Sequence, residues 1–224
     1  MKKNKCVNCK DCGFKELCSS YLFVLADPLF IRVLERKVKI KRDDYLCRQG
    51  HRSDALYALR SGIAKVYDTS GQLTGVVLPG QVLGVEELYS GTSGQDILAA
   101  TDIEVCRLKS QHFYQMSQLM PGFTNYILRI FSHSARNKQE FISVLTKKDT
   151  VQKVESFLRL LFDTYKEYGF DNNYITLPLN KKEIAELLGI SISTLSRTLE
   201  KLSAKGVMSM PNKNEIILLD STKY

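Results

Sequence analysis

No long apolar run interrupts the 224 residues: stretches such as Val76–Leu78 and Ile216–Leu219 fall far short of the roughly 20 apolar residues that a membrane-spanning helix needs. No basic-then-apolar leader precedes the first cysteine, so the chain is expected to work in the cytoplasm. Histidine is scarce, and His51, His112 and His133 each stand alone as ordinary surface or turn residues. No βαβ pattern surrounds a Cys-x-x-Cys pair, which argues against a thiol–disulfide or electron-transfer enzyme. Acid is in deficit: 32 Lys+Arg against 24 Asp+Glu leave +8, compatible with a polyanionic partner. The surplus is spread as +3 over residues 1–18, +3 over 19–146 and +2 over 147–224, so charge alone does not locate a nucleic-acid surface. With 44% hydrophobic residues the chain can build real cores, as one large domain or two small ones.

Cysteine, by contrast, is concentrated. Cys6, Cys9, Cys12 and Cys18 form C-x2-C-x2-C-x5-C within the first eighteen residues. A two-residue gap lets the backbone turn so that successive thiolates converge on one centre, which suits a zinc ion or an iron–sulfur cluster, with a further ligand fixed to a folded body. Lys2, Lys3, Lys5, Lys10 and Lys15 outnumber Asp11 and Glu16 around these thiols, and positive charge favours the thiolate that metals need. Three readings compete for the arm: paired or free thiols, structural zinc, and an iron–sulfur cluster. Disulfides are uncommon in a reducing compartment, but spacing does not separate zinc from cluster. Taken by themselves, Cys106 in Ile103–Leu108 and Cys47 in Tyr45–Arg48 read as small apolar strand residues, Cys47 the more strongly.

From about Ile31 to Leu108 short apolar strands alternate with turns. Ala55–Leu59 precedes Ser61-Gly62, Ile63–Tyr67 precedes Asp68–Gly71, and Leu73–Leu78 precedes Pro79-Gly80, which predicts a compact antiparallel barrel or roll. A helix follows over about Pro121–Lys147, free of Gly and Pro from Phe123 onward. Alternate steps of four and three from Ile127 give Phe131, Ser134, Lys138, Phe141 and Leu145, a heptad seam that predicts a dimerisation helix, with core packing inside one monomer as the other use. A lysine buried in such a seam costs several kcal/mol unless it is paired or snorkels outward, so the dimer is expected to be marginal and easily tipped.

An amphipathic helix to about Tyr168 ends at Gly169, and the linker Asp171–Asn173 leads to a strand at Tyr174–Leu177. Asn180 then caps a short helix, Gly189 turns the chain, and Ser191 caps a second helix through about Lys205. Val207–Met210 and Glu215–Leu219, joined at Pro211–Asn214, make a two-stranded wing. This is a winged helix-turn-helix with its second helix placed for a DNA major groove. Ser193, Thr194, Ser196 and Arg197 form the N-terminal face of that helix; Arg197 can grip guanine O6 and N7, whereas the hydroxyls suit a base edge or a phosphate. Lys181, Lys182, Lys201 and Lys205 are candidate phosphate contacts.

A cysteine-rich arm, a β-roll, a long helix and a winged helix-turn-helix, in that order, resemble the CRP/FNR transcription regulators over nearly the whole chain, and the FNR (fumarate and nitrate reduction regulator) branch most. Asn8–Cys18 looks like that branch's cluster loop and Leu56–Gly62 its roll signature; Leu145-Thr146-Lys147-Lys148 and Leu195-Ser196-Arg197 match as well. The resemblance implies an α+β chain with a cluster arm over 1–20, a sensor roll over 21–120, a dimerisation helix over 121–147 and a DNA-binding domain over 148–224. It implies that Cys9, Cys12, Cys18 and Cys106 hold an oxygen-labile [4Fe-4S] cluster, with Cys6 as a spare ligand. The function implied is an oxygen-responsive regulator, with nitric oxide as a second candidate signal, that binds a palindromic promoter site as a homodimer, contacts RNA polymerase, and is no enzyme. Lys138 falls where the family helix carries a restraining charge, commonly an acidic one. Gly84 to Thr101 contains no Arg or Lys to grip a cyclic phosphate, so no cyclic nucleotide is expected. Zinc, a thiol switch, or haem on one of the three histidines are the alternatives within the family. The family's recognition helix commonly reads E-x-x-S-R; here Ser193 replaces the Glu, so the half-site is expected to depart from TTGAT at the base pair that Glu would read.

Overall fold

In a computed structural model, residues 6–21, 33–170, 174–176, 179–212 and 215–218 are described. Lys2, Lys3, Lys5, the linker Asp171–Asn173, Leu177, Lys213, Asn214 and Leu219 lie outside them. Contacts divide the chain into Met1–Ala135 and Arg136–Tyr224.

The expected roll consists of two four-stranded antiparallel sheets. One has the order β1 (Leu34–Ile40), β8 (Ile103–Lys109), β3 (Ala55–Ser61), β6 (Val82–Leu83); the other has β2 (Tyr45–Cys47), β7 (Asp96–Ala99), β4 (Ala64–Tyr67), β5 (Leu73–Val77). Their inner faces enclose a core that includes Tyr57, Leu59, Val66, Ile97 and Val105. Alternation puts Ala64 and Val66 of β4 inside and leaves Lys65 and Tyr67 half-buried. β3 breaks that rule, for six consecutive residues are buried. A strand covered on both faces reads as a near-continuous apolar run, and Ala55-Leu56-Tyr57-Ala58-Leu59 is such a run.

The cover on the outer face is the cysteine arm. Val7, Cys12, Phe14 and Leu17 are buried, Phe14 and Leu17 almost completely. Backbone bonds fix the arm at Val7 N–H to Arg60 O (2.8 Å) and Gly13 N–H to Gly80 O (2.9 Å). A side chain at position 13 would place its Cβ 2.6 Å from that same Gly80 oxygen, so only glycine permits this approach. α1 (Lys15–Tyr21) follows. After α2 (Glu87–Ser90), the single turn Ser110–His112 and α3 (Phe113–Leu119) comes the long helix α4 (Phe123–Leu145). It starts two residues later than Pro121, because Gly122 has a left-handed φ of 88°.

In the second unit α5 (Thr150–Glu167) begins at Asp149, whose carboxylate accepts from Gln152 N–H. α6 (Lys181–Leu188) has a full capping box between Asn180 and Glu183 and ends at left-handed Gly189; α7 (Ile192–Ala204) is capped by Ser191. β9 (Tyr174–Thr176), β10 (Met208–Asn212) and β11 (Glu215–Leu218) form one sheet in the order β10-β11-β9. The wing strand runs one residue beyond Pro211, which sits in the register shift between Ser209 and Asn212, where no ladder bond needs its missing N–H.

Candidate metal centre and nucleic-acid interface

Pairing of β3 with β8 sets Ala58 opposite Cys106 and Ser61 opposite Glu104. Cys106 shares the outer face of β8 with Glu104 and Leu108, whereas Ile103 and Val105 enter the core. The apolar reading of Cys106 holds only for its burial; its sulfur faces the arm. Opposite it, β1 carries a bulge: Glu35 pairs with Arg107 and Val38 with Val105, so Arg36 and Lys37 together face one residue. Lys37 adopts φ 57°, and its backbone N–H lies near enough to Cys106 to favour the thiolate, against the burial that raises its pKa overall.

Cys9, Cys12, Cys18 and Cys106 lie close enough for their charges to interact, Cys6 standing beside them 3.9 Å from Glu104 Oε1. All six cysteines are free thiols. Among the described residues, no three Cys, His, Asp or Glu side chains converge at metal-binding distance. The lysines' expected effect on these thiols is outweighed. Burial raises the pKa of Cys6, Cys18 and Cys106 and pushes Cys12 up to about 12, each thiolate in turn opposing the others. Arg36 and Arg60 work the other way, lowering Cys18 and Cys106. Cys12 and Cys106 are buried, Cys18 is half-buried and Cys9 exposed, and thiols crowded in this way become thiolates together only around a cation.

Arg60, which sequence reasoning did not single out, completes the surroundings. It is buried, and its Nη1 donates to Glu104 Oε1 at 2.7 Å, while its Nε has no partner among the described residues. Burial alone would lower its pKa, but the negative charges of Cys6, Cys9, Cys106 and Glu104 raise it overall. A buried donor left over beside several sulfurs fits an anionic metal–thiolate group, and a [4Fe-4S] cluster on four cysteines is one. Its holders would be Cys9, Cys12, Cys18 and Cys106. Cys47 lies elsewhere, inside the roll with Ser53 4.0 Å away, in keeping with its apolar reading.

The arm also meets α4. Tyr126 donates its hydroxyl to Gly13 O at 3.0 Å, and Arg129 Nη2 lies 2.6 Å from Glu16 Oε2. Along α4, Ile127 is buried within its own chain and Phe141 packs on Phe157 at 6.4 Å between ring centroids. Phe131, Ser134 and Leu145 are half-buried and Lys138 is exposed. The fully apolar positions left outside are Leu128 and Ile142, each about half exposed. They share the heptad face of Phe131, Ala135, Lys138 and Leu145; the walk from Ile127 also reaches Phe131, Lys138 and Leu145, but takes Ile127, Ser134 and Phe141 where this face has Leu128, Ala135 and Ile142.

On α7, Ser193 and Arg197 are exposed and Ser196 is half-buried. Thr194 is tied back, its Oγ1 lying 2.7 Å from Ser191 Oγ, and Ser193 Oγ stands 2.9 Å from the same atom. Lys181, Lys182, Lys201 and Lys205 are all exposed. Ile192, about half exposed at the head of the helix, was missed by a search for polar readers, although an apolar residue there is the type that touches a thymine methyl.

A roll carrying a group of thiols and a separate winged helix-turn-helix define the architecture of a DNA-binding regulator. Comparison with known proteins agrees: the profile described as "Cyclic nucleotide-binding domain" matches residues 37–119, and "Crp-like helix-turn-helix domain" matches residues 152–223. The chain belongs to the CRP/FNR family of transcription regulators and is not an enzyme. It is 26% identical to "Transcriptional activator protein anr" of Pseudomonas aeruginosa over 219 residues, covering 96% of this chain and 89% of the relative. It is 26% identical to "Fumarate and nitrate reduction regulatory protein" of Salmonella typhi over 212 residues, covering 92% and 85%. Among solved structures, FixK2 from Bradyrhizobium japonicum is similar in fold, with a TM-score of 0.69, 19% identity and coverage of 82% of this chain and 92% of that one. A CooA mutant from Carboxydothermus hydrogenoformans is similar too, with a TM-score of 0.65, 19% identity, and coverage of 90% and 92%.

Proposed function

We propose that the chain is an oxygen-responsive transcription regulator of the cytoplasm, which binds a palindromic promoter site as a homodimer when Cys9, Cys12, Cys18 and Cys106 hold a [4Fe-4S] cluster. One observation carries the reading: the arm that bears three of these cysteines is seated over Cys106 and, through Gly13 and Glu16, touches the first turns of α4. The cluster, when bound, supplies the sensitivity to oxygen, and nitric oxide would act on the same group. The residues supply the transmission. Phe14 and Leu17 anchor the arm, Tyr126 and Arg129 read its position, and the next turns of α4 carry Leu128 and Phe131. An interface with Lys138 at its middle is near balance, so a few kcal/mol gained at the arm suffices to shift the population of dimers.

On DNA, Arg197 is the guanine reader, Ile192 and Ser196 flank it, and Lys181, Lys182 and Lys201 meet phosphates. Ser193 does not reproduce the reach of a Glu, so the half-site differs from the family's at one base pair. RNA polymerase is the further partner that the relatives' role as activators supports. Cyclic nucleotide is disfavoured by chemistry: the stretch from Gly84 to Thr101 has no cation for the phosphate, and Glu87 within it is a buried carboxylate.

The test is metal analysis of protein purified without oxygen. About four irons and matching acid-labile sulfide per chain, with visible absorbance that bleaches as air enters, is the expected result. Cys106→Ala should lose the colour and Cys47→Ala should keep it. One zinc and no colour would discard the cluster while leaving the DNA-binding assignment intact.

A further inference from the structure

Arg60 ends the buried run of β3. Its side chain is nine-tenths buried, a rare position for a guanidinium, and only one end of its planar fork is engaged, by Glu104. The other edge, at Nε, has no hydrogen-bond acceptor among the described residues. The backbone of Arg60 meanwhile holds the arm, its carbonyl accepting from Val7 next to Cys6. Arg60 therefore joins strand, arm and thiol site at one residue, with a charged donor left over and Cys6, Cys9 and Cys106 near enough for their charges to act on it. Sulfur in an anionic cluster is the acceptor that such a donor suits.

We propose that Arg60 donates its Nε–H to a sulfur of the cluster group, and that Glu104 orients the guanidinium and offsets part of its charge, so that the pair sets how long the site withstands oxygen. The inference rests on the cluster reading above and adds to it a positioning pair outside the ligand motif. A hydrogen bond and a positive charge at sulfur draw electron density away, so dioxygen removes one electron less readily, departing as superoxide. Glu104 works against this, and removing its charge should strengthen the protection. The two residues thus predict opposite effects, which a merely structural role for either would not produce.

The experiment compares wild type, Arg60→Met, Arg60→Lys and Glu104→Gln, each loaded anaerobically with iron and sulfide, and reads two quantities: the midpoint potential and the half-life of visible absorbance in air. Arg60→Met should bleach about ten-fold faster, with a lower potential. Arg60→Lys, which keeps the charge without the Nε–H, should fall between it and wild type. Glu104→Gln should bleach more slowly, with a raised potential. Should Arg60→Met fail to fold, Arg60→Lys and Glu104→Gln still move in opposite directions if the inference holds. Loaded variants that all bleach at the wild-type rate overturn it while leaving the cluster in place. A wild-type chain that takes up no iron and sulfide overturns both.

Discussion

Lys37 and Asp43 are the two non-glycine residues with positive φ among the described residues, and they differ in kind. Aspartate tolerates the left-handed region and sits in a loop, where its N–H bonds Ala99 O at 2.8 Å. Lysine has no such tolerance, and its strained conformation lies in the bulge opposite Cys106, where its backbone N–H favours the thiolate. The bulge is thus kept at a cost in stability, and the cost is measurable. Lys37→Gly should raise the free energy of unfolding by roughly 0.5 kcal/mol and Lys37→Val should lower it by about 1 kcal/mol or more. Urea denaturation of the metal-free protein reads both, and a Val variant as stable as wild type would remove the strain argument. The arm's cysteines were legible in sequence because metal ligands must recur at short spacing. Arg60 was not, since a string of residues does not distinguish an arginine on a surface from one that a remote arm covers. The unbroken apolar run before it, Ala55–Leu59, was the available signal that both faces of β3 are covered.

At the scale of elements, caps and turns were the most readable features: Asn180, Gly189 and Ser191 act where their chemistry puts them, because capping is decided within a few residues. The register of α4 was less readable. Its apolar residues serve two masters, Ile127 packing inside its own chain and Phe141 on Phe157, and a heptad count does not tell these from residues that meet a partner. The proposed dimer face is therefore Leu128, Phe131, Ala135, Lys138, Ile142 and Leu145. Ile142→Ala should weaken the loaded dimer about ten-fold by loss of buried apolar area, and Lys138→Ala should raise the dimer fraction of the cluster-free protein. Analytical sedimentation reads both. An unchanged dimer in Ile142→Ala would move the seam off this face, and an unchanged monomer in Lys138→Ala would end the restraining role of the lysine.

At the scale of the molecule, the order of arm, roll, helix and winged unit was visible because each segment has its own period and punctuation. The seating of the arm was not, because Val7 with Arg60, Gly13 with Gly80 and Tyr126 with Gly13 are partners remote in sequence. The roll also contains its own record of opening. Cys47 is buried in the first unit, and burial pushes its thiol up to about 11, so an alkylating reagent finds neither access nor thiolate while the roll is closed. Cys6 and Cys9 are exposed. In metal-free protein, mass spectrometry after a pulse of iodoacetamide should show the arm labelled early and Cys47 only at the rate at which the roll unfolds. Loss of the arm's grip and loss of the fold, which look alike in a fading colour, would then be counted separately on one polypeptide, thiol by thiol.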